Sequence, residues 1–498
     1  MSVVPVVRPV AVPMVKSITP AAQMAIWSKY LFDWRRSTTF QNPDGTTAAA
    51  SGDPIGFLQD LRGNPAYMDS SARRPVVAAG WDFDGSDDVM VAMQATHLTA
   101  ASSFTVPDLS DSVTGKGFTC TGITLDTSDD TQWIANDGRS DASDLTHRAG
   151  LVNVTKAGVK VVERDLSGTF ASMTTIQGVV YDATDDSLWF CSTGENLVRH
   201  VSAADGSSIG SFSSTSCNGI ALDTVSGNLI VVSTTGTLTT YNKSGVQQAT
   251  FSFEACDCIW YDSTNGILYY AREPGNGINY IGLFHFSTRQ FLGKWVVPEA
   301  EALEGMVHDG TNLYVTNDNY YHGQTGTNQV LVYSKAAATL ETKSKITLFG
   351  VFTADSSPVG TRSIFGLGSS GVTNAGVGLH QIGSSSTGLR VFANTDVGTT
   401  ERSFVDFTSL SDLTSTRYVV VEVDFDGETV SLWLDGTQSG TAQAIANVAG
   451  AISTGCFVIG GMKFGSDEFP GVIKVAGLIE RILTTSERAV LHSYLRTI

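Results

Sequence analysis

The sequence predicts an all-β protein. Glycine supplies 50 of the 498 residues, and valine, isoleucine, serine and threonine recur in short runs, which is typical of strands joined by tight turns. A repeat of paired strands fills the middle of the chain, and strands of two-fold alternation fill its end. At roughly 150 residues per domain, a chain of this length holds about two to four domains.

The charge and the cysteines narrow the class of protein. The formal net charge of −18 repels DNA phosphates, so nucleic-acid partners are not expected. No apolar run reaches the length of a membrane-spanning helix, so membrane insertion is not expected either. The six cysteines lack the spacing of a zinc site, which favours free thiols and assembly in a reducing compartment.

One five-residue pattern, an apolar strand that usually begins with Gly and ends in Asp, recurs through the middle of the chain. Its copies start 39 to 56 residues apart. They are GITLD at 122–126, GVVYD at 178–182, GIALD at 219–223, CIWYD at 258–262 and GMVHD at 305–309.

A turn and a second strand follow each copy, and a third strand often follows those, as in LVRHVS, TLTTYN and VLVYS. Several strands per period of about 40–50 residues predict a β-propeller, which we place at 105–335 with about five blades. Because the first spacing is the longest, an insertion or a degenerate extra blade at 138–177 stays open.

The N-terminal part differs from both strand regions. Residues 1–19 form an apolar arm whose three prolines favour extended chain, and it is interpreted either as a loose tail or as an arm that docks on a neighbouring subunit. Residues 20–80 form a lead-in, with a helix predicted at 20–35 and loops after it.

The C-terminal region, 336–498, consists of alternating strands followed by a closing helix with Ser486 as its predicted N-cap. Its segments VEVDFDGETVSLWLDG (421–436) and FPGVIKVAGLIERILTTSER (469–488) resemble the laminin-G-like, or concanavalin-A-like, jelly roll. Proteins of that family open with a strand similar to WDFDGSDDVMV, which here lies far upstream at 81–91. The resemblance therefore implies a sandwich that begins at 81–104, is interrupted by the propeller, and resumes at 336–498.

The lead-in carries a second resemblance. The segments LFDWRRSTTFQNPDG (31–45), ARRPV (72–76) and GWDFDGSDD (80–88) resemble the start of jelly-roll virion proteins of tailed bacteriophages. This resemblance implies a virion protein assembled in the host cytoplasm, with other virion proteins as partners through the N-terminal arm. Host-surface glycan is a further expected partner, and assembly into a homo-oligomer such as a trimer stays open.

A polar residue precedes each repeated strand, and in a propeller these positions surround the mouth of the central channel. Asn218, Asp257 and Glu304 resemble the metal ligands of gluconolactonase-like propellers, which have six blades. Converging oxygens with two carboxylates suit Ca²⁺, so the predicted cofactor is either none or Ca²⁺. A hydrated polar channel without catalysis is the simpler interpretation. The five mouth residues are Thr121, Gln177, Asn218, Asp257 and Glu304.

Aromatic residues give a second candidate site. Trp133, Trp189, Tyr269 and Tyr314 occupy equivalent strand positions, so they are predicted to pack in the core. A consecutive polar and aromatic group in a Gly-rich loop is the better candidate for binding a sugar. It consists of Asn319, Tyr320, Tyr321 and His322.

Three functions follow from these observations. The first is a virion structural and adhesion protein that binds host carbohydrate. The second is a calcium-dependent enzyme that cleaves a glycan or a lactone at the propeller mouth. The third is an architectural decoration protein. The sequence contains no GxSxG, P-loop or HExxH motif, so no catalytic residue is predicted.

Overall fold

The structure is a computed structural model. It describes residues 19–33, 38–40, 49, 57–59, 65–67, 76–77, 81–84, 90–107, 120–136, 149–166, 169–170, 173, 175–272, 279–300, 302–318, 328–355, 360–368, 375–383, 386–395, 403–445, 448, 450–461 and 468–498.

Strands dominate the described chain, which confirms the predicted all-β class. The N-terminal elements are α1 (Pro20–Trp27), β1 (Tyr30–Asp33), β2 (Thr38–Phe40), β3 (Phe57–Gln59), β4 (Pro65–Tyr67), β5 (Val76–Val77), β6 (Trp81–Asp84), β7 (Met90–Met93), β8 (Ala95–His97) and β9 (Ser102–Thr105).

The middle of the chain contributes nineteen strands. They are β10 (Cys120–Asp126), β11 (Thr131–Asn136), β12 (Gly150–Thr155), β13 (Lys160–Asp165), β14 (Val179–Asp182), β15 (Ser187–Ser192), β16 (Leu197–Ser202), β17 (Ser208–Ser213), β18 (Cys217–Leu222), β19 (Leu229–Ser233), β20 (Thr237–Tyr241), β21 (Gln247–Ser252), β22 (Ile259–Asp262), β23 (Ile267–Arg272), β24 (Tyr280–His285), β25 (Gln290–Val296), β26 (Leu303–His308), β27 (Asn312–Asn317) and β28 (Gln329–Ser334).

The C-terminal elements are β29 (Lys345–Ala354), β30 (Arg362–Gly368), β31 (Gly376–Gln381), β32 (Leu389–Asn394), β33 (Ser403–Phe407), β34 (Arg417–Asp424), β35 (Thr429–Leu434), β36 (Thr437–Gln438), β37 (Gln443–Ala444), β38 (Cys456–Ile459), β39 (Pro470–Ile479) and α2 (Thr485–Leu495). Within the described residues, neither helix is long and apolar enough to cross a membrane.

Two nine-stranded sheets form a sandwich. The first, sheet A, has the order β36-β35-β34-β29-β39-β6-β5, with β1 paired to β39 and β37 paired to β35. The second, sheet B, has the order β2-β3-β4-β7-β38-β30-β31-β32-β33. Apolar side chains from the facing sides of both sheets fill the space between them, as expected when one face of each sheet is buried.

The upstream strand predicted to open the sandwich is split between its two sheets. Strand β6 pairs with β39 in sheet A, and β7 pairs with β38 in sheet B. The tetrapeptide DFDG occurs at 82–85 and again at 424–427. In the second copy, Phe425 is buried, whereas Asp424 accepts hydrogen bonds from the Lys345 ammonium at 2.9 Å and from the Gly427 amide at 2.9 Å. In this copy the acidic turn is therefore closed by its own hydrogen bonds.

The helix predicted at 20–35 is shorter than expected. It ends at Trp27, and the residues from Tyr30 to Asp33 form β1, which pairs with β39. The Tyr30 hydroxyl donates a hydrogen bond to the Gly455 carbonyl at 2.9 Å. Burial of four consecutive residues in a sheet outweighs their helical pattern, which is a case of tertiary packing overriding local propensity.

The described residues of the propeller form five blades, each with a four-stranded antiparallel core. They are formed by β10–β13, β14–β17, β18–β21, β22–β25, and β26–β28 with β9. The fifth blade therefore takes its outermost strand from upstream of the first, which fastens the ring. Strand β8 adds to the fourth blade in parallel with β25. The predicted boundary between the sandwich and the propeller, at 104/105, thus falls within β9 and after β8, although both strands belong to propeller blades.

The long first spacing does not hide another blade in the described chain. Strands β12 and β13 lie in this interval and are the third and fourth strands of the first blade. The extra-blade alternative is therefore wrong for the described part of 138–177.

The fourth blade joins the propeller to the sandwich. A Cβ atom on Gly455 would lie 2.0 Å from the Leu292 carbonyl oxygen, so the two backbones touch. The Gln94 amide donates to the Gly455 carbonyl at 2.9 Å, and the Lys294 amide donates to the Gln94 carbonyl at 2.8 Å. Such close backbone approach requires glycine at 455.

The closing helix begins two residues earlier than the predicted cap implies. Thr484 is the N-cap, and its side chain accepts a hydrogen bond from the Glu487 amide while Glu487 reaches back to the Thr484 amide. This capping box corrects the prediction of Ser486, which is already inside the helix.

Candidate functional site: the propeller mouth and the edge of sheet B

The aspartate that ends each repeated strand holds the following turn. Asp126 accepts hydrogen bonds from the Ser128 hydroxyl at 2.6 Å and from the Trp133 indole at 3.0 Å. Asp262 accepts from the Thr264 amide at 3.0 Å and from the Asn265 side chain at 2.7 Å. Side-chain oxygens commonly satisfy backbone donors in such turns, so these aspartates stabilise the fold.

The glycine that begins four of the five copies lets the inner strands meet at the centre of the ring. A Cβ atom on Gly122 would lie 2.7 Å from the Gln177 carbonyl oxygen in the next blade, and one on Gly178 would lie 2.9 Å from that of Asn218. A Cβ atom on Gly305 would lie 2.4 Å from the Thr121 carbonyl oxygen, which closes the ring from the fifth blade to the first.

The five predicted mouth residues therefore lie around one end of the channel. Asn218 donates from its side-chain amide to the Asp257 carboxylate at 3.2 Å. The Thr121 hydroxyl donates to the Ile176 carbonyl at 2.8 Å and is buried. Three of the five polar side chains, those of Thr121, Asn218 and Asp257, are thus held by contacts between blades.

An ion pair lies at the chain segment that leads to Asp257. The Arg272 Nε lies 3.5 Å from the Glu254 carboxylate, and Arg272 Nη1 donates to the Ala255 carbonyl at 2.7 Å. Glu254 is buried. The Arg272 guanidinium, which is itself largely covered, balances the charge of this carboxylate. This arrangement fixes Arg272 at the mouth.

Two carboxylates from the fifth blade lie on another side of the mouth. Burial, and then the nearby Asp318 and Glu304 carboxylates, raise the pKa of the Cys120 thiol well above its ordinary value. Asp318 is buried, whereas Glu304 is partly exposed. Glu304 is therefore placed by the structure beside Cys120 and Asp318.

The structure shows only some of the predicted metal ligands in contact with each other. Asn218 and Asp257 are in contact, and the Asn218 amide nitrogen, a donor, faces the carboxylate. Within the described residues, no three side chains of the His, Cys, Asp or Glu type lie together as an ion site. Calcium binding by Glu304, Asp257 and Asn218 stays a prediction.

A serine, a histidine and an aspartate meet in the second blade, but not in the order that activates a nucleophile. His200 Nε2 lies 2.6 Å from the Ser187 hydroxyl and 3.7 Å from Asp185, so both partners contact the same ring nitrogen. A triad needs the carboxylate on the other nitrogen. The Ser187 hydroxyl donates to Asp185, so the three residues hold a turn.

The predicted core aromatics are confirmed, because Trp133, Trp189, Tyr269 and Tyr314 are all buried. The predicted sugar-binding group of Asn319, Tyr320, Tyr321 and His322 lies outside the described residues.

The far end of the channel contains a cavity of about 260 Å³. Each copy of the five-residue repeated pattern contributes its second residue to this cavity, and all five of these residues are buried and apolar. They are Ile123, Val179, Ile220, Ile259 and Met306. The cavity wall thus combines these apolar side chains with polar residues that include Thr124, Asp262 and His308.

A second candidate lies at the edge of sheet B, where Phe404 is 51% exposed. Arg390 and Asp406 face each other across β32 and β33 and form two hydrogen bonds of 2.6 and 2.8 Å. The Arg390 guanidinium also lies 3.9 Å from the centre of the Phe404 ring. We call these three residues the edge patch.

The remaining side chains of β33 show why the patch faces outward. Val405 and Phe407 are buried in the sandwich core, so Phe404 and Asp406 point to the opposite face. The alternation of SFVDF puts an aromatic residue on the polar side of the strand. That signal was in the sequence and was missed.

The described residues form a β-sandwich interrupted by a propeller with five blades. Residues 324–487 match the profile of the concanavalin A-like lectin/glucanases superfamily. A search of curated proteins gave no match.

Several solved structures resemble the chain loosely. Trypanosoma rangeli sialidase is 12% identical, with 93% of this chain and 97% of that chain covered and a TM-score of 0.30. Myxococcus xanthus glutaminyl cyclase is 12% identical, with coverage of 48% and 97% and a TM-score of 0.35. A nidogen/laminin complex is 13% identical, with coverage of 40% and 72% and a TM-score of 0.29. Strand pairing within this chain carries the fold assignment.

Proposed function

We propose that this protein is a carbohydrate-binding adhesion protein that holds its ligand at the edge patch without cleaving it. The observation that carries the proposal is the exposed Phe404 ring, flanked by Arg390 and Asp406. Sugar rings present apolar C–H faces and polar hydroxyl edges. The aromatic ring offers a partner for the C–H faces, and the ion pair beside it offers a partner for the hydroxyl edges.

The contacts of the patch favour binding because they fix its side chains in advance. Arg390 is held by two hydrogen bonds to Asp406 and by its position over Phe404. Side chains that are already ordered lose less conformational entropy when a ligand arrives. The hydrogen bond to Asp406 is the main reason that the pKa of Arg390 is raised, so its charge is constant over the working pH range.

The position of the patch in the chain supports the same function. Strands β32 and β33 lie within the matched residues 324–487, and lectins are named in that superfamily.

The second function, a glycan- or lactone-cleaving enzyme, is favoured by one observation. Glu304 and Asp318 bring two carboxylates to the propeller mouth beside Cys120. Carboxylate pairs can act as acid and base on a glycosidic bond. A reaction at this mouth would depend on Glu304.

We further propose the surface of a bacteriophage virion as the location, with the arm at 1–19 as the attachment to other virion proteins. The resemblance of the lead-in is its support. Removal of residues 1–17 should abolish incorporation into particles and leave the melting temperature of the remaining chain unchanged. Normal incorporation of the truncated chain would rule out attachment to the virion through this arm.

The experiment for the binding function is a glycan array probed with the full chain and with Phe404→Ala. We expect binding to a defined glycan class, and a loss of about tenfold in affinity for Phe404→Ala, since one aromatic contact is worth roughly 1.4 kcal/mol. Phe404→Tyr keeps the ring and should bind normally. A reducing-sugar assay on the same glycans distinguishes the enzyme: release that disappears in Glu304→Gln would establish the second function.

A further inference from the structure

Cys191 and Cys217 lie side by side between the second and third blades. Cys191 is in β15 and Cys217 begins β18, and both are fully buried in one cluster with Trp189, Ile220 and Val231. The backbones around them are joined across the blades, because the Thr193 hydroxyl donates to the Cys217 carbonyl at 2.7 Å.

A second bridge between the blades runs through the neighbouring residue Gly178. The Cys191 amide donates to the Gly178 carbonyl at 3.0 Å, and the Gly178 amide donates to the Asn218 carbonyl at 2.9 Å. With no side chain at Gly178, β15 and β18 can approach each other. The strands that carry the two sulfurs are thereby joined by the Thr193 side-chain hydrogen bond and by the main-chain hydrogen bonds at Gly178.

The two thiols belong to the same buried cluster. The Cys217 thiol donates a hydrogen bond to the Leu197 carbonyl at 3.3 Å. The hydrogen bond from Cys191 is the main reason that the pKa of Cys217 is lowered, whereas burial raises that of Cys191. Cys217 is therefore the better nucleophile of the two.

We propose that Cys191 and Cys217 form a disulfide that links the second and third blades when the protein meets a peroxide. The Cys217 thiolate attacks one peroxide oxygen, so an S–O bond forms as the O–O bond breaks and hydroxide leaves. The Cys191 sulfur then attacks the Cys217 sulfur, so an S–S bond forms as the S–O bond breaks. The two thiol protons convert the two departing hydroxides to water. Two thiols are oxidised and one hydrogen peroxide is reduced.

The route to Cys217 is short. Thr215 is exposed and Ser216 is partly exposed immediately before it, so a local opening of this turn brings the buried sulfur into contact with solvent. The Cys191 thiol, which lies in the same buried cluster, then competes with further oxidation of the sulfenic acid.

The other cysteines are arranged differently. Cys256 packs in the cluster shared with the sandwich, whereas Cys258 packs with the fifth blade, so these two close neighbours point to different faces. Cys120 lies in a third cluster, between the first and fifth blades. It serves as the control position.

The test uses the folded full chain, treated with hydrogen peroxide, then unfolded, alkylated and mapped by mass spectrometry without reduction. We expect one cross-linked pair of peptides containing Cys191 and Cys217, with the mass of two hydrogens lost. The melting temperature should rise on oxidation and return to its starting value with dithiothreitol. Cys120→Ser should behave like the wild-type chain, and Cys191→Ser should lose both the cross-link and the shift.

Either of two results would overturn the proposal. One is full alkylation of both Cys191 and Cys217 after peroxide treatment. The other is a disulfide that joins either of them to a different cysteine. Because the peptide map of the wild-type chain decides between these outcomes, the test holds even if the Cys191→Ser chain does not fold.

Discussion

Gly305 of the fifth blade touches Thr121 of the first, with so little space that a Cβ atom on Gly305 would lie 2.4 Å from the Thr121 carbonyl oxygen. The contact closes the ring of inner strands. It also explains why the repeated pattern begins with glycine, because a larger residue would push neighbouring blades apart.

Gly305→Ala should therefore destabilise the propeller. We expect a loss of about 1–3 kcal/mol in the free energy of unfolding, the usual cost of forcing a methyl group into a packed interior. Gly210→Ala is the matched control, because a Cβ atom on Gly210 would meet nothing within 4 Å. Denaturant unfolding of both variants measures the difference, and equal stabilities would contradict the packing account of the ring.

His492 of the closing helix should be a source of instability at mildly acid pH. Burial, then Arg488 and Arg496, lower its pKa to about 4, and neither ring nitrogen has a hydrogen-bond partner among the described residues. Between about pH 6.5 and 4 the unfolded chain binds more protons at this site, so stability falls as pH falls. His492→Phe should raise the melting temperature by about 2 °C at pH 5, and by less at pH 8.

The control for that variant is a histidine whose nitrogens are both bonded. His308 accepts from the Gly310 amide at 2.8 Å and lies 2.7 Å from the Lys335 carbonyl. His308→Phe should lower the melting temperature, because it leaves two backbone groups without partners. Stabilisation by both substitutions would mean that the hydrogen bonds of His308 contribute nothing.

Lys156 should help to determine the pH at which the protein unfolds in acid. Burial alone would raise the pKa of Asp309, but the Asn312 and Thr311 amides and the Lys156 ammonium lower it to about 2. A lowered carboxyl pKa gives stability that is complete above about pH 4 and is lost as pH falls through about 2. Lys156→Met should move the midpoint of acid unfolding to a higher pH.

Lys160→Met is the comparison for this change, because Lys160 pairs with Glu163 on an outer strand. Surface pairs three residues apart contribute little to stability. Acid titration followed by circular dichroism measures both midpoints. An unchanged midpoint in Lys156→Met would show that the bond from the first blade to Asp309 does not stabilise the ring.

The propeller should fold alone only if its upstream strands are retained. A fragment 95–338 contains β8, β9 and Ala338, whose amide donates to the Tyr269 hydroxyl at 2.6 Å. A fragment 105–335 lacks both strands and leaves the fifth blade one strand short. We expect cooperative unfolding for the longer fragment and none for the shorter, measured by calorimetry. Identical transitions would exclude closure of the ring by β9.

The sequence predicted the blades well because each carries its own signals. Gly178 opens a strand that must approach its neighbour, and Asp262 closes a turn with its own side chain, so both act within local structure. The edge strands β8 and β9 have no such signals, and only their pairing with distant strands reveals them. The alternation of SFVDF indicates the outward direction of Phe404, but its neighbour Arg390 could be known only from the register of β32 and β33.

Glycan binding through Phe404 is tested most directly by affinity electrophoresis of the native chain in gels that contain the glycan selected on the array. The account predicts that the wild-type chain and Phe404→Tyr are retarded and that Phe404→Ala migrates freely. Val161→Ala, which removes a different exposed apolar side chain, should be retarded as fully as the wild-type chain. Equal retardation of Phe404→Ala and the wild-type chain would contradict binding at the edge patch.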